Sequence, residues 1–170
     1  ALGETWFRIP ETVRVEFTGD FPEHIGGKDL ILWLIGQIGV DGARYKALEF
    51  GGPAIDALSM DGRMTIANMA IEAGGKCGLF AADAKTLEYC RNAGRMNDEA
   101  ISADPGASYE RVVTCDVSRL EPQVACPHIP SNVKPVSEVK DVTSNKVIIG
   151  SCTHWPLYTP DAADEEEKAV

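Results

Sequence analysis

Apolar and polar residues alternate strictly over residues 12–19 (TVRVEFTG), so that three apolar side chains fall on one side and polar or charged ones on the other. This pattern is typical of a β-strand with one buried face. The next segment has a different pattern, because residues 26–39 contain an uninterrupted apolar run from Leu30 to Ile35 and end at a glycine. Such a run predicts a largely buried helix that is closed by a glycine C-cap.

Further strands and helices are predicted in alternation along the chain. Apolar patterns bounded by Gly, Pro and Asp predict strands at 42–52, 76–82, 109–117 and 146–150, and helices near 54–58, at 61–75 and at 83–94. Asp61 and Asp83 are the predicted N-caps of the last two helices. Strands that are separated by helices predict the α/β class, with a three-layer α/β/α architecture, a mostly parallel sheet and helices on both of its faces.

These patterns divide the chain into three parts. Residues 1–117 form the predicted α/β domain. Residues 118–153 are rich in proline and have little periodicity, which predicts an extended segment followed by a strand that leads to Gly150, Ser151 and Cys152. Residues 154–170 contain a run of like charges and are expected to form a disordered acidic tail.

Composition and charge narrow the classes of function. The 170 residues suit one domain, and the formal net charge of −10 opposes binding to the phosphate backbone of nucleic acids. No apolar run is long enough to span a membrane. The five cysteines include no C-x-x-C pair, so the sequence supports neither a disulfide framework nor a zinc site, and Cys126 with His128 alone does not make one.

Two places along the chain carry candidate chemistry. Cys152 follows a predicted parallel strand, and ligands gather at the carboxyl ends of such strands. Asn68 and Glu72 are four residues apart in the predicted helix 61–75 and therefore share one face, with Thr65 one turn earlier. By pattern alone, an ordinary solvated face is the simpler interpretation of this polar group.

Other reactive residue types have structural interpretations. Arg63 is expected to form an exposed salt bridge rather than to contact an anionic substrate. Loop or core positions are expected for the remaining cysteines and for two histidines, namely Cys77, Cys90, Cys115, Cys126, His24 and His128.

Three stretches resemble a known family in the order in which that family carries them. They are AIDALSMDGRMTIANMAIEAGGKCGLFAAD at 54–83, LEPQVACPHIPSNVKPVSEV at 120–139 and VIIGSCT at 147–153. They are similar to segments of the aconitase family, in particular to the large subunits of 3-isopropylmalate dehydratase and homoaconitase. The resemblance covers residues 1–153 and implies an aconitase-like domain from the central segment of such a subunit.

The resemblance also implies a chemistry. Members of the family are iron–sulfur hydro-lyases with a [4Fe-4S] cluster, which isomerise a 2-hydroxy di- or tricarboxylic acid by dehydration and rehydration, as in leucine biosynthesis. Cys152 matches the first cluster ligand, and Ser151 and Thr153 flank it. Asn68 and Glu72 match the catalytic pair that approaches the open iron and its bound water. The implied location is the cytoplasm, or the mitochondrial matrix in a eukaryote.

The chain also departs from the family pattern. The family's other two cluster cysteines form a C-x-x-C pair that this chain lacks, and His154 stands where the family has Asn. Further catalytic residues of the family belong to an upstream segment and to a small subunit, which are the expected partners beside the hydroxy acid substrate. The isolated chain is therefore expected to be inactive and to bind no cluster. The alternative is a cluster-free aconitase-like module with a structural or interaction role.

Overall fold

The computed structural model of the chain describes residues 3–95, 99–143 and 146. The predicted fifth strand lies outside the described residues except for Lys146, as do Ser151, Cys152, Thr153 and the acidic tail 154–170. None of the described helices is both long enough and apolar enough to cross a membrane.

Helices and strands alternate through the described part of the chain. The elements are β1 (Thr12–Thr18), α1 (Gly27–Ile38), β2 (Ala47–Gly51), α2 (Pro53–Ala57), α3 (Met60–Met69), β3 (Cys77–Phe80), α4 (Ala84–Asn92), β4 (Arg111–Asp116), β5 (Gln123–Ala125) and β6 (Val133–Pro135). Short 3-10 turns cover Ala70–Ala73, Val117–Arg119 and Val136–Val139.

The first four strands form one parallel sheet in the order β3-β2-β1-β4. The central strand β1 pairs on both sides, so that Val15 lies opposite Phe50 of β2 and Val113 of β4. Crossover helices between parallel strands produce this arrangement. The parallel sheet with flanking helices confirms the predicted α/β class and is consistent with a three-layer aconitase-like domain.

The alternation in β1 separates a buried face of the sheet from a polar one. Val13, Val15 and Phe17 are fully buried against the apolar side of α1, and the Phe17 ring meets the Trp33 ring edge-on at 6.1 Å between centroids. The helices α1 and α3 also pack closely, because a Cβ on Gly27 would lie 2.4 Å from the carbonyl oxygen of Gly62. Only glycine therefore fits at this crossing.

The opposite face of the sheet carries an ion network. Arg14 donates from Nε to Glu16 Oε1 at 2.6 Å and from Nη1 to Glu49 Oε1 at 2.5 Å. Tyr109 donates its hydroxyl to Glu49 Oε1 at 3.0 Å. The charged side chains on the polar face of β1 thus pair with each other and with side chains from two other segments of the chain.

The starts of two predicted elements are wrong. The strand predicted at 42–52 begins only at Ala47, because Ala43 N donates to Ala73 O at 2.8 Å and holds the preceding residues in a turn. The helix predicted at 61–75 starts two residues earlier, with Ser59 as the N-cap in place of Asp61. The α-helix ends at Met69 and continues as a 3-10 turn before Gly74, whose φ of 81° closes it as predicted.

The proline-rich segment after residue 117, which was predicted to be extended, contains a short hairpin. Strands β5 and β6 pair antiparallel as a two-stranded hairpin, with Gln123 opposite Pro135 and Ala125 opposite Val133. The hairpin packs against α1, where a Cβ on Gly36 would lie 3.0 Å from the Cβ of Val133. This hairpin has no helix-like or long strand-like sequence pattern, which explains why the sequence did not predict it.

Candidate functional site

An open cleft of about 780 Å³ lies where the first turns of α1, the end of α3 and the loop after β5 meet. Its lining comes from all three regions: Lys28 and Leu32 from α1, Met69 and Glu72 from the end of α3 and the 3-10 turn, and residues 123–130 from the hairpin and its loop. The cleft thus combines a cationic, an anionic and several apolar side chains.

The 3-10 turn decides which polar residue reaches the cleft. In a 3-10 helix, residues three apart eclipse each other, so Glu72 follows the direction of Met69 rather than that of Asn68. Glu72 lines the cleft together with Met69, whereas Asn68 does not line it. Both predicted catalytic residues are exposed, and neither makes a hydrogen bond or ion pair within the described part of the chain.

Thr65 is buried, unlike Asn68 and Glu72, with which the sequence pattern grouped it. Its side chain is fully buried, and its hydroxyl donates to the carbonyl oxygen of Asp61 at 2.9 Å. Such a bond to the preceding turn is a common way to satisfy a buried threonine. Thr65 therefore has a structural contact and does not extend the exposed polar group of Asn68 and Glu72.

Arg63 was expected at the surface, and that expectation is wrong. Arg63 is only 3% exposed. Its guanidinium donates hydrogen bonds to Asp83 Oδ2 at 2.7 Å and to the carbonyl oxygen of Ile55 at 3.1 Å. The pKa of the Asp83 carboxyl is held well below its usual range, mainly by the hydrogen bond from Arg63. Arg63 therefore connects α2, α3 and the start of α4 and presents no exposed cation to a ligand.

The start of α4 is held by polar contacts. Asp83 is the N-cap as predicted, since it accepts a hydrogen bond from Thr86 N at 2.9 Å. Lys85 Nζ donates to the carbonyl oxygens of Asp56 and Leu58 at 2.9 and 2.7 Å. These contacts bind the last carbonyls of α2, which a five-residue helix leaves unpaired.

Several other residues that line the cleft were not predicted as functional. His128 was expected to be a loop residue and does lie in the loop after β5, but that loop lines the cleft. Lys28 and Gln123 line the cleft as well, although they are far apart in the chain. No local sequence signal joins these residues, and only the approach of the hairpin to α1 brings them together.

The implied cluster needs several thiolates that converge on one place. Among the residues that the structure describes, no three His, Cys, Asp or Glu side chains are grouped closely enough to hold a metal ion. Burial, with a smaller effect of the Asp116 carboxylate, raises the pKa of the Cys115 thiol to about 11 and opposes its thiolate form. The described residues do not fit an iron–sulfur cluster by themselves, and the predicted ligand Cys152 lies outside them.

Comparison with known proteins gives a consistent family. The sequence profile of the Aconitase family (aconitate hydratase) matches residues 1–149 of the chain. A 3-isopropylmalate dehydratase large subunit of Nitratidesulfovibrio vulgaris (strain DSM 19637 / Miyazaki F) is 68% identical over 154 residues, which is 91% of this chain and 37% of that protein.

Two further relatives have the same name. The 3-isopropylmalate dehydratase large subunit of Oleidesulfovibrio alaskensis is 62% identical over 91% of this chain and 37% of its own length. That of Heliobacterium modesticaldum is 54% identical with the same shares. The chain thus spans 37% of the length of the curated relatives it matches.

Proposed function

Because the chain belongs to the aconitase family, we propose that it is a segment of the large subunit of a 3-isopropylmalate-dehydratase-like hydro-lyase. The proposed reaction isomerises a 2-hydroxy di- or tricarboxylic acid by removal of water and its return at the neighbouring carbon. The segment acts with the remainder of a large subunit and with a small subunit in the cytoplasm. The names of the relatives support this proposal, since each is called a dehydratase large subunit.

The observation that carries the proposal is the position of Glu72. Its carboxylate is exposed, has no partner among the described residues and lines the cleft, so it is available to a ligand. A carboxylate that reaches a substrate hydroxyl can accept or return a proton, which is the step that dehydration and rehydration require. Asn68, four residues earlier, is exposed but does not line the cleft. Its proposed role as an amide that orients a hydroxyl or a water molecule therefore rests on the resemblance to the family.

Cofactor binding is assigned to the residues that follow the described part. We propose Cys152 as a thiolate ligand of the [4Fe-4S] cluster in the complete protein, with Ser151 and Thr153 shaping its turn. One thiolate does not hold a four-iron cluster, so the other ligands come from segments outside this chain. The 170-residue chain by itself is therefore proposed to be inactive.

The test is a chimera with a close relative. Residues 1–153 of this chain replace the matching stretch of the Nitratidesulfovibrio vulgaris large subunit, which is produced with that organism's small subunit. We expect dehydratase activity with 3-isopropylmalate and bound iron and sulfide. In this chimera, Glu72→Gln lowers kcat by about 10²- to 10⁴-fold, because it removes a proton-transfer group.

Two variants make the result specific. Glu88→Gln changes another exposed glutamate, on α4, and should leave kcat unchanged. Cys152→Ala should abolish iron and sulfide binding. A chimera that assembles with the small subunit but holds no iron contradicts the proposal and favours a cluster-free module instead.

A further inference from the structure

Asp29, in the first turn of α1, joins two segments that are far apart in the sequence. Its Oδ2 accepts a hydrogen bond from Gly26 N at 3.0 Å, which completes the N-terminus of α1. Its Oδ1 accepts a hydrogen bond from Gln123 N at 2.8 Å, across 94 residues. One carboxylate therefore holds the start of α1 and the start of β5 together, beside the cleft residues Lys28 and Gln123.

The loop that follows β5 is closed by its own hydrogen bonds. Cys126 N donates to Asn132 O at 2.8 Å, and Asn132 N donates to Ile129 O at 3.0 Å. The side-chain amide of Asn132 also donates to Pro127 O at 2.8 Å. The loop and the hairpin that carries it can therefore shift as one unit, and the attachment of the hairpin to α1 decides where that unit stands.

We propose that Asp29 is a positioning residue for the cleft: its carboxylate fixes the loop 126–132 relative to Glu72 and so sets how well the cleft holds the hydroxy acid. The part of this inference that concerns substrate rests on the proposed function. The part that concerns the loop rests only on the two hydrogen bonds of Asp29 and on the closure of the loop by Asn132.

The inference requires a carboxylate at this position. Both oxygens of Asp29 accept from backbone N–H groups, and an asparagine has one acceptor oxygen and an NH₂ group that only donates. Asp29→Asn must therefore lose one of the two contacts, although it keeps the size and shape of the side chain. Asp29→Ala loses both.

A matched control exists on the neighbouring helix. Ser59 is the N-cap of α3 and accepts a hydrogen bond from Gly62 N at 3.2 Å. Ser59→Ala thus removes a comparable contact at a helix start, but Ser59 makes no hydrogen bond to the hairpin within the described residues. A general loss of stability affects both variants, whereas a displaced loop is expected only in the Asp29 variants.

The first experiment uses the 170-residue chain. Amide hydrogen exchange at Gln123 and the rate of thiol labelling at Cys126, read by peptide mass spectrometry, report on the attachment and on the loop. We expect Asp29→Ala to raise exchange at Gln123 by about tenfold, as the loss of one hydrogen bond implies, and to speed labelling of Cys126. Unchanged exchange and labelling, or an equal change in Ser59→Ala, would overturn the proposed role.

The second experiment uses the active chimera. We expect Asp29→Asn and Asp29→Ala to raise KM for the hydroxy acid by about fivefold and to change kcat by less than about twofold, because the loop affects binding and Glu72 remains in place. An unchanged KM, or the same rise in Ser59→Ala, contradicts the role in substrate binding. If the unsubstituted chimera is inactive, the proposed function fails, and the exchange and labelling results still decide the role of Asp29 in the loop.

Discussion

The two ends of α3 place polar residues in opposite environments. Near its start, Arg63 is buried and bound to Asp83 and to backbone carbonyls of α2. At and just beyond its end, Asn68 and Glu72 are exposed and have no partner among the described residues. A buried polar group must be satisfied by the protein, whereas an exposed and unpartnered group beside a cleft remains available to a ligand. The comparison separates a residue that holds the fold from residues that are suited to chemistry.

The strongest test of this contrast is Arg63→Ala. We expect a loss of about 2–3 kcal/mol in the free energy of unfolding, measured by urea denaturation, because the variant removes a buried cation and leaves Asp83 without its partner. The loss stays below the largest values for buried pairs, since the Asp83 side chain is 36% exposed and regains water. Arg91→Ala, at an exposed position in the last turn of α4, serves as the control and should change stability by less than about 0.5 kcal/mol.

A smaller effect is expected when pH is used to weaken the same contact. The pKa of the Asp83 carboxyl is held below its usual range, first by the hydrogen bond from Arg63, so the folded state binds its proton less readily than the unfolded state does. The stabilisation is therefore present above the unfolded pKa of about 3.9 and is lost as the pH falls below it. We expect the chain to lose more stability between about pH 5 and pH 3 than Asp83→Asn does.

Asp83→Asn is informative because asparagine is as good an N-cap as aspartate. The variant keeps one acceptor oxygen for the capping contact to Thr86 N, and its NH₂ group replaces the oxygen that accepts from Arg63. It therefore removes both the charge and the hydrogen bond that face Arg63. If chain and variant lose stability in parallel over this pH range, as followed by urea denaturation at each pH, the ion pair does not contribute to the acid dependence.

Local patterns in the sequence predicted the elements whose burial follows a regular period. The alternation around Val15 and the apolar run from Leu30 to Ile35 report burial directly, and both elements form as predicted. The start of β2 was missed because a tertiary bond from Ala43 to Ala73 fixes the preceding turn. Propensity and pattern do not register contacts of this kind.

The same limit applies to the candidate site. The resemblance to the family made Glu72 a predicted catalytic residue, and that role stays a prediction. Nothing near Arg63 in the sequence indicates that it will be buried in an ion pair with Asp83. The contact of Asp29 with Gln123 spans 94 residues and equally has no local signature. The sequence thus showed which residue types are capable of chemistry. The folded chain shows which of them already form hydrogen bonds or ion pairs within the protein.

The smallest effect on stability is expected for substitutions at the C-terminal end of α3. We expect Asn68→Ala and Glu72→Gln to change the free energy of unfolding of this chain by less than about 0.5 kcal/mol, because both side chains are exposed and neither forms a contact that the fold would lose. Urea denaturation beside Arg63→Ala measures the difference between the two ends within one helix. A loss above about 1 kcal/mol in Glu72→Gln would mean that its carboxylate stabilises the fold, and the argument that it is free to act on a ligand would then fail.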